Sequence, residues 1–148
     1  SIDYLEKVDV KKKYPETIVI KVYETKPVAL IFKNNKKYVI DTSSNLYFFD
    51  ENIHEKKFPQ IFGNDAEKDF INFFNKLEKN NFPKDLIENF YYFQIGRWDL
   101  QLSNNQIIKF PVNKLSNSIK KSIELLDRQD FKNYSVIDLR INGKIVVE

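Results

Sequence analysis

Apolar and polar residues alternate along positions 136–148: Ile137, Leu139, Ile141, Ile145 and Val147 hold the odd places, and only Gly143 breaks the row. Asp138, Arg140, Asn142, Lys144 and Glu148 hold even ones. A period of two sustained over this length predicts an extended strand with one face on a core and one in water. Asn142-Gly143 complicates this, because Asn-Gly is the strongest short hairpin signal. A two-residue turn there would set Ile141 opposite Lys144 and Leu139 opposite Val146. Asp138 and Arg140 would then share a face with Ile145 and Val147, and both faces would be mixed. A single continuous strand keeps two clean faces, with Gly143 as a bulge or a point of close backbone approach, and is preferred over the turn. A strand in that final position readily lies at a sheet edge. There its unpaired N–H and C=O groups are either a hazard held off by charge or a docking site for a partner strand.

Upstream, residues 1–13 are charged, with a short helical start ahead of an extended Val8-Asp9-Val10. Tyr14-Pro15-Glu16-Thr17 is a turn, since Pro15 biases Tyr14 away from helix. Ile18, Ile20 and Val22 then alternate as a half-buried strand, closed by Glu24-Thr25-Lys26-Pro27. Residues 1–26 are too few for an independent domain and read as the tail of one that begins earlier. Residues 28–32 and 38–40 flank Lys33-Asn34-Asn35-Lys36-Lys37 as a hairpin, Asn tolerating left-handed dihedrals. A turn at 41–45 leads to a third strand at 46–49 and a charged loop at 50–57. Residues 58–63 form an apolar connection closed by Gly63.

Asp65 then caps a helix running to about Asn80, with Phe70, Phe73, Phe74 and Leu77 as one apolar stripe. Phe82-Pro83 breaks it. Residues 87–95 predict a strand, and 98–102 and 106–110 a hairpin through Ser103-Asn104-Asn105. A second helix spans about 113–127 with Leu115, Ile119, Ile123 and Leu126 inward. The order predicts an α+β fold, a largely antiparallel or mixed sheet with two helices.

At 148 residues the chain holds one domain, or one plus part of another. Its 15% aromatic content supplies volume for a sizeable core and argues against disorder. A net charge of +3 is too balanced to point to nucleic acid. The absence of cysteine excludes disulfides, thiolate metal sites and a Cys nucleophile. No apolar run approaches the roughly 20 residues of a membrane helix. With no leader and no initial Met, the chain reads as a soluble piece of a longer protein whose anchor lies outside it.

Candidate chemistry is sparse. His54, the one histidine, sits in the charged loop and reads as solvated; with Asp50 and Glu55 it makes a poor metal set. No nucleophile–base arrangement is present, and three glycines make no phosphate-cradling loop. The lysines at 11–13 and 33–37 read as solvated, and Asn89-Phe90-Tyr91-Tyr92-Phe93 and Trp98 as packing rather than a stacking platform.

Four stretches, in order, resemble the bacterial cell-division family FtsQ/DivIB. Residues 15–29 resemble its P-x-T-ψ-x-I-x-V-x-E-x-x-P-V-A junction, and Phe58-Pro59-Gln60-Ile61-Phe62-Gly63 its L-P-x-ψ-x-G. Trp98-Asp99-Leu100-Gln101-Leu102 is similar to its W-x-L-x-L hairpin, and Ile137-Asp138-Leu139-Arg140 with Gly143 to its terminal ψ-D-L-R-x-x-x-G. Asn105 departs from a turn glycine, Phe110-Pro111 from Leu-Gly, and Ile141 from an aromatic that often follows the D-L-R.

The resemblance implies a single-pass inner-membrane protein at the division septum, with a POTRA domain and then a β domain outside the membrane. Residues 1–26 would end the POTRA domain and 27–148 would be the β domain. It implies no enzymatic activity and no cofactor. The role implied is a scaffold that binds FtsB/DivIC-like and FtsL-like proteins, with other divisome components, and helps control septal peptidoglycan synthesis. In the family the terminal strand adds a strand from FtsB and the D-L-R arginine meets an acidic residue. The implied partner-binding residues are Arg140, Ile141, Gly143 and Ile145. Nucleic acid is not an implied partner, and the membrane is reached only through an N-terminal helix absent from these residues. The alternative is a POTRA-containing chaperone-like or transport-associated module that binds extended polypeptides along an edge.

Overall fold

The computed structural model describes residues 5–13, 17–24, 26–50 and 57–148. His54 and Glu55 lie outside them, as do the first three residues of the turn expected at 14–17, whose last, Thr17, opens a strand. The chain divides into two compact units, Ser1–Lys57 and Phe58–Glu148.

In the first unit, β1 (Leu5–Lys13) pairs antiparallel with β2 (Thr17–Glu24) as a two-stranded sheet. The short helical start expected ahead of Val8 lies in part outside the described residues, and Leu5–Lys7 already belong to β1. β3 (Pro27–Lys33) and β4 (Lys36–Asp41) form the expected hairpin. Its two-residue loop has φ of 54° at Asn34 and 63° at Asn35, the pair of left-handed residues that matches strand twist. β5 (Leu46–Phe48) pairs antiparallel with β4. Asp41 closes the connecting turn: its Oδ1 accepts the backbone N–H groups of Ser43 and Asn45, each at 2.9 Å. With those bonds made, the carboxylate sits buried at 1% exposure.

The second unit is a mixed sheet with two helices. Its elements are β6 (Gln60–Phe62), α1 (Ala66–Lys79), β7 (Ile87–Phe93), β8 (Arg97–Leu102), β9 (Ile107–Lys109), α2 (Leu115–Leu126), β10 (Val136–Asp138) and β11 (Val146–Val147). The strands lie in the order β11-β10-β9-β8-β7-β6. β6–β7 and β9–β10 are parallel, and the other neighbours antiparallel. A parallel pair needs a crossover, and the two helices are those crossovers. β6 corrects the reading of 58–63 as a mere connection; three residues are too few to display a period of two.

Helix α1 buries Phe70, Phe73, Phe74 and Leu77, as its stripe predicts. Phe73 stacks on Trp98 with centroids 5.2 Å apart and planes 4° from parallel. The indole Nε1 of Trp98 donates to Asp69 Oδ2 at 2.8 Å. The helix ends through Asn81 at φ 58°, with Phe82 N–H on Leu77 C=O and Asn81 N–H on Glu78 C=O. This left-handed cap satisfies two terminal carbonyls and folds Phe82 back onto the core.

Asp65 occupies the N-cap position, but with φ 61° and no side-chain capping bond. Backbone bonds close that turn instead, from Lys68 N–H to Asp65 C=O and from Ala66 N–H to Gly63 C=O. Helix α2 is rotated from expectation. It buries Ser118, Ile119, Ser122 and Leu125, leaving Leu115, Ile123 and Leu126 half-buried. Small serines let the helix sit close, and Ser122 Oγ donates to Ile119 C=O at 2.6 Å, which removes the cost of its burial.

Candidate partner-binding site

The terminal stretch is a hairpin, not a continuous strand. β10 pairs antiparallel with β11, setting Ile137 against Val147 and Asp138 against Val146. Odd positions therefore face odd positions. A two-residue turn at 142–143 would pair 141 with 144, odd with even, and only that register mixes the faces. The 139–145 loop has an odd number of residues and preserves parity: Ile137 and Leu139 are buried, Ile145 and Val147 half-buried, and Val146 exposed. Within the loop, Lys144 N–H donates to Ile141 C=O at 3.1 Å. Gly143, at φ 77°, supplies the positive dihedral this turn needs after Asn142.

β10 is thus an inner strand between β9 and β11, and among the described residues β11 is the outer one. Glu148 exchanges backbone bonds with Val136 on the inner side. Antiparallel pairs alternate, so the next residue, Val147, turns its N–H and C=O away from β10.

Arg140, Ile141, Gly143 and Ile145 all lie in the loop rather than on a strand. Arg140 is held by its own neighbour: its backbone N–H reaches Asp138 Oδ1 at 3.0 Å, Nε the same oxygen at 2.9 Å and Nη2 the other at 2.7 Å. Ile141 is 60% exposed, an apolar side chain presented to water. Ile141, Gly143 and Ile145 line a groove of about 520 Å³ with Leu139, Asn142 and Lys144 from the loop and Lys114, Asn117, Ser118 and Lys121 from the start of α2. Arg140 is not among its walls. Leu139, whose N–H donates to Lys109 C=O at 2.9 Å, is the buried end of the floor. Sequence reasoning missed the α2 wall. Its signal is the spacing 114, 117, 118, 121, a one-sided helical stripe of Lys, Asn, Ser and Lys.

The opposite face of the sheet carries a charged row. The register sets Tyr91 beside Asp99, Asp99 beside Lys109 and Lys109 beside Asp138. Burial pushes the Asp99 carboxyl above the usual range, opposed by its hydrogen bond and ion pair with Arg97. The Arg140 guanidinium holds the Asp138 carboxyl below its usual range, against partial burial. A depressed carboxylate adds stability above its unfolded value of about 3.9, lost as pH falls through the folded value. An NMR titration should therefore find Asp138 ionising below the ordinary range and Arg140→Gln moving it upward. A carboxyl unmoved by that substitution would show that the fork does not persist in solution.

A family model for "Cell division protein FtsQ/DivIB, C-terminal" matches residues 29–140. The chain belongs to the FtsQ/DivIB family.

Its relatives include proteins named "Cell division protein FtsQ" from Rickettsia felis, 27% identical over 151 residues, and from Rickettsia bellii, 29% over 153. Each alignment covers 98% of this chain and 55% of the relative. The protein of that name from Rhizobium radiobacter is 22% identical over 156 residues, covering 99% and 71%. The chain spans about half the length of the rickettsial relatives. The FtsQ/DivIB match ends at Arg140, so most of the terminal loop lies beyond it. Asn105, in the turn between β8 and β9, stands at φ 71°, a left-handed conformation that Asn tolerates better than most residues. Among the described residues no cluster of three or more His, Cys, Asp or Glu is placed to hold a metal, and no helix is long and apolar enough to cross a membrane.

Proposed function

We propose that this region is a non-catalytic scaffold of the division machinery. It binds FtsB/DivIC-type and FtsL-type partners by strand addition on the outer edge of β11 and helps control septal peptidoglycan synthesis. In this reading residues 1–26 end a POTRA domain, 27–148 form the β domain, and an N-terminal membrane helix holds both outside the inner membrane. Family membership supplies the setting. The observation that carries the mode of binding is the outward-facing backbone of Val147 on the outermost strand. An added strand takes affinity from backbone bonds worth about 1 kcal/mol each net, and from side-chain anchors.

The geometry shifts weight away from Arg140. Its guanidinium already holds Asp138, and an exposed ion pair is worth only about 0.2–1 kcal/mol. A partner carboxylate would have to share or exchange that fork.

The test is calorimetry with a peptide from the C-terminal region of the cognate FtsB. Val147→Pro removes one outward N–H, breaks no bond to β10 and suits an edge strand. It is expected to weaken peptide binding roughly fivefold or more while the far-UV spectrum and thermal midpoint stay in place. Unchanged affinity in a folded Val147→Pro protein would rule out the edge.

A further inference from the structure

A different strand edge lies in the first unit, where β5 is outermost among the described residues and β4 is its inner neighbour. Phe49 N–H donates to Lys37 C=O at 3.1 Å, and antiparallel alternation then turns the N–H and C=O of Phe48 away from β4. The side chains around that backbone are apolar and cationic at once. On one face the Phe48 ring stacks on Tyr38 at 5.1 Å, and Lys36 sets its ammonium 5.6 Å from the same ring. On the other face Lys37 lies opposite Phe32 and sets its ammonium 5.5 Å from that ring and 4.9 Å from the ring of Phe49. Phe48 is 63% exposed. Phe32, Asn35, Lys36, Lys37, Phe48 and Phe49 line a shallow cleft of about 510 Å³, and none of the six is acidic.

Both lysines belong to β4, yet their ammoniums stand over rings that follow in β5 and just after it. Positive charge is thereby carried one strand outward on each face. A strand added beside β5 would lie about 4.8 Å beyond it, with its side chains falling alternately on the two faces and a carboxylate on either within reach of a lysine. A lipid surface fits less well, because the hairpin tip is the polar pair Asn34-Asn35 and open backbone groups are costly in hydrocarbon. A second copy of β5 would bring like charges together.

We propose that the β5 edge takes an acidic, extended polypeptide segment as an added strand. Its carboxylates meet Lys36 on one face and Lys37 on the other, and its apolar side chains pack on Phe48 and Phe49. Backbone bonds hold the segment, and the charge selects it, since complementarity of this kind sets specificity and encounter rate more than bulk affinity. Asp50, next along the chain, marks where a partner carboxylate is no longer favoured. The contact shares no residue with the β11 edge and does not depend on that reading.

The test uses the whole chain and an end-blocked eight-residue peptide, two repeats of Ile-Glu-Glu-Ile, which as a strand sets acids and isoleucines on both faces. Binding is followed by amide NMR shifts. Saturable binding is expected, with the largest shifts at residues 46–49. The same peptide N-methylated at every interior amide keeps its side chains and loses its ladder bonds, and should bind at least fivefold more weakly. Replacing its glutamates with lysines should also cost at least fivefold, and Lys36→Glu should weaken the acidic peptide severalfold. The two altered peptides probe the unaltered protein, so the outcome does not hang on the folding of a variant.

No saturable shift at residues 46–49 up to millimolar peptide overturns the proposal. Equal binding by the methylated peptide does so too, reducing the cleft to a charged surface. Shifts confined to residues 146–148 would assign the peptide to β11 and overturn the β5 site alone. Phosphatidylglycerol vesicles that sediment the chain but not Lys36→Glu, with β5 unmoved by the peptide, would make the surface a lipid contact. Shifts at β5 that grow with protein concentration alone would make it a contact between copies, and either of these last results also overturns the proposal.

Discussion

Replacing Phe73 with alanine is expected to destabilise the Phe58–Glu148 unit by about 3–5 kcal/mol. Phe73 is 1% exposed and lies where the helix layer meets the sheet. One ring face stacks on Trp98, and its edges meet Phe90 and Phe110 in T-shaped contacts at 6.3 and 5.8 Å. Those partners belong to β7, β8 and the residue after β9, so one truncation loosens three adjacent strands at once. The surrounding rings are rigid and mutually packed, and the site cannot collapse to fill the void. Against a typical domain stability of about 5–15 kcal/mol the loss is a large fraction. Urea unfolding followed by the fluorescence of Trp98, the one tryptophan, measures it and reports the stacked ring itself. A loss below about 1 kcal/mol would mean that Phe73 does not organise this core.

That core was legible in the sequence because α1 declares itself: Phe70, Phe73, Phe74 and Leu77 fall on one helical stripe with no competing apolar face. Helix α2 was less legible. Its buried face includes Ser118 and Ser122, chosen for close approach rather than hydrophobicity, so apolar spacing alone pointed some tens of degrees off the mark. Strand β6, and β11 as a strand separate from β10, were not legible for another reason. At three and two residues they are defined by their neighbours' hydrogen bonds, not by a pattern of their own. The Asn34-Asn35 turn, by contrast, needed only the chemistry of asparagine.

The candidate site was half legible. The terminal residues were found, with the odd–even alternation intact, but their geometry was misjudged. Alternation tests parity, and a hairpin with an odd-numbered loop satisfies parity as well as a straight strand does. The α2 wall was missed because Lys114 and Lys121 are distant in sequence from the loop they face. No local pattern announces a surface assembled by a parallel crossover, which brings α2 back over the sheet before β10.

Gly63→Ala is expected to be damaging in a way that separates two roles of glycine. Gly63 has φ 122°, and a Cβ there would lie 2.3 Å from the backbone oxygen of Tyr92. The position follows β6, where Phe62 is in register with Tyr91 of β7, so the two backbones approach as the parallel pair ends. A methyl group cannot be absorbed by a rotamer change, because the atom it meets is main chain. Either β6 pulls away from β7 or the residue leaves its dihedral well, and the first turn of α1, anchored by Ala66 N–H on Gly63 C=O, moves with it. Gly143→Ala is the control: its φ is 77° and nothing lies within 4 Å of an added Cβ. There only the left-handed dihedral is penalised, by about 1–2 kcal/mol. Gly63→Ala should exceed that by at least about 2 kcal/mol, since overpacking strain of roughly 1–3 kcal/mol adds to the dihedral cost. Paired urea midpoints for the two variants measure the difference. Equal losses would show that the close backbone approach at the end of β6 relaxes without resistance, and that Gly63 serves only its dihedral.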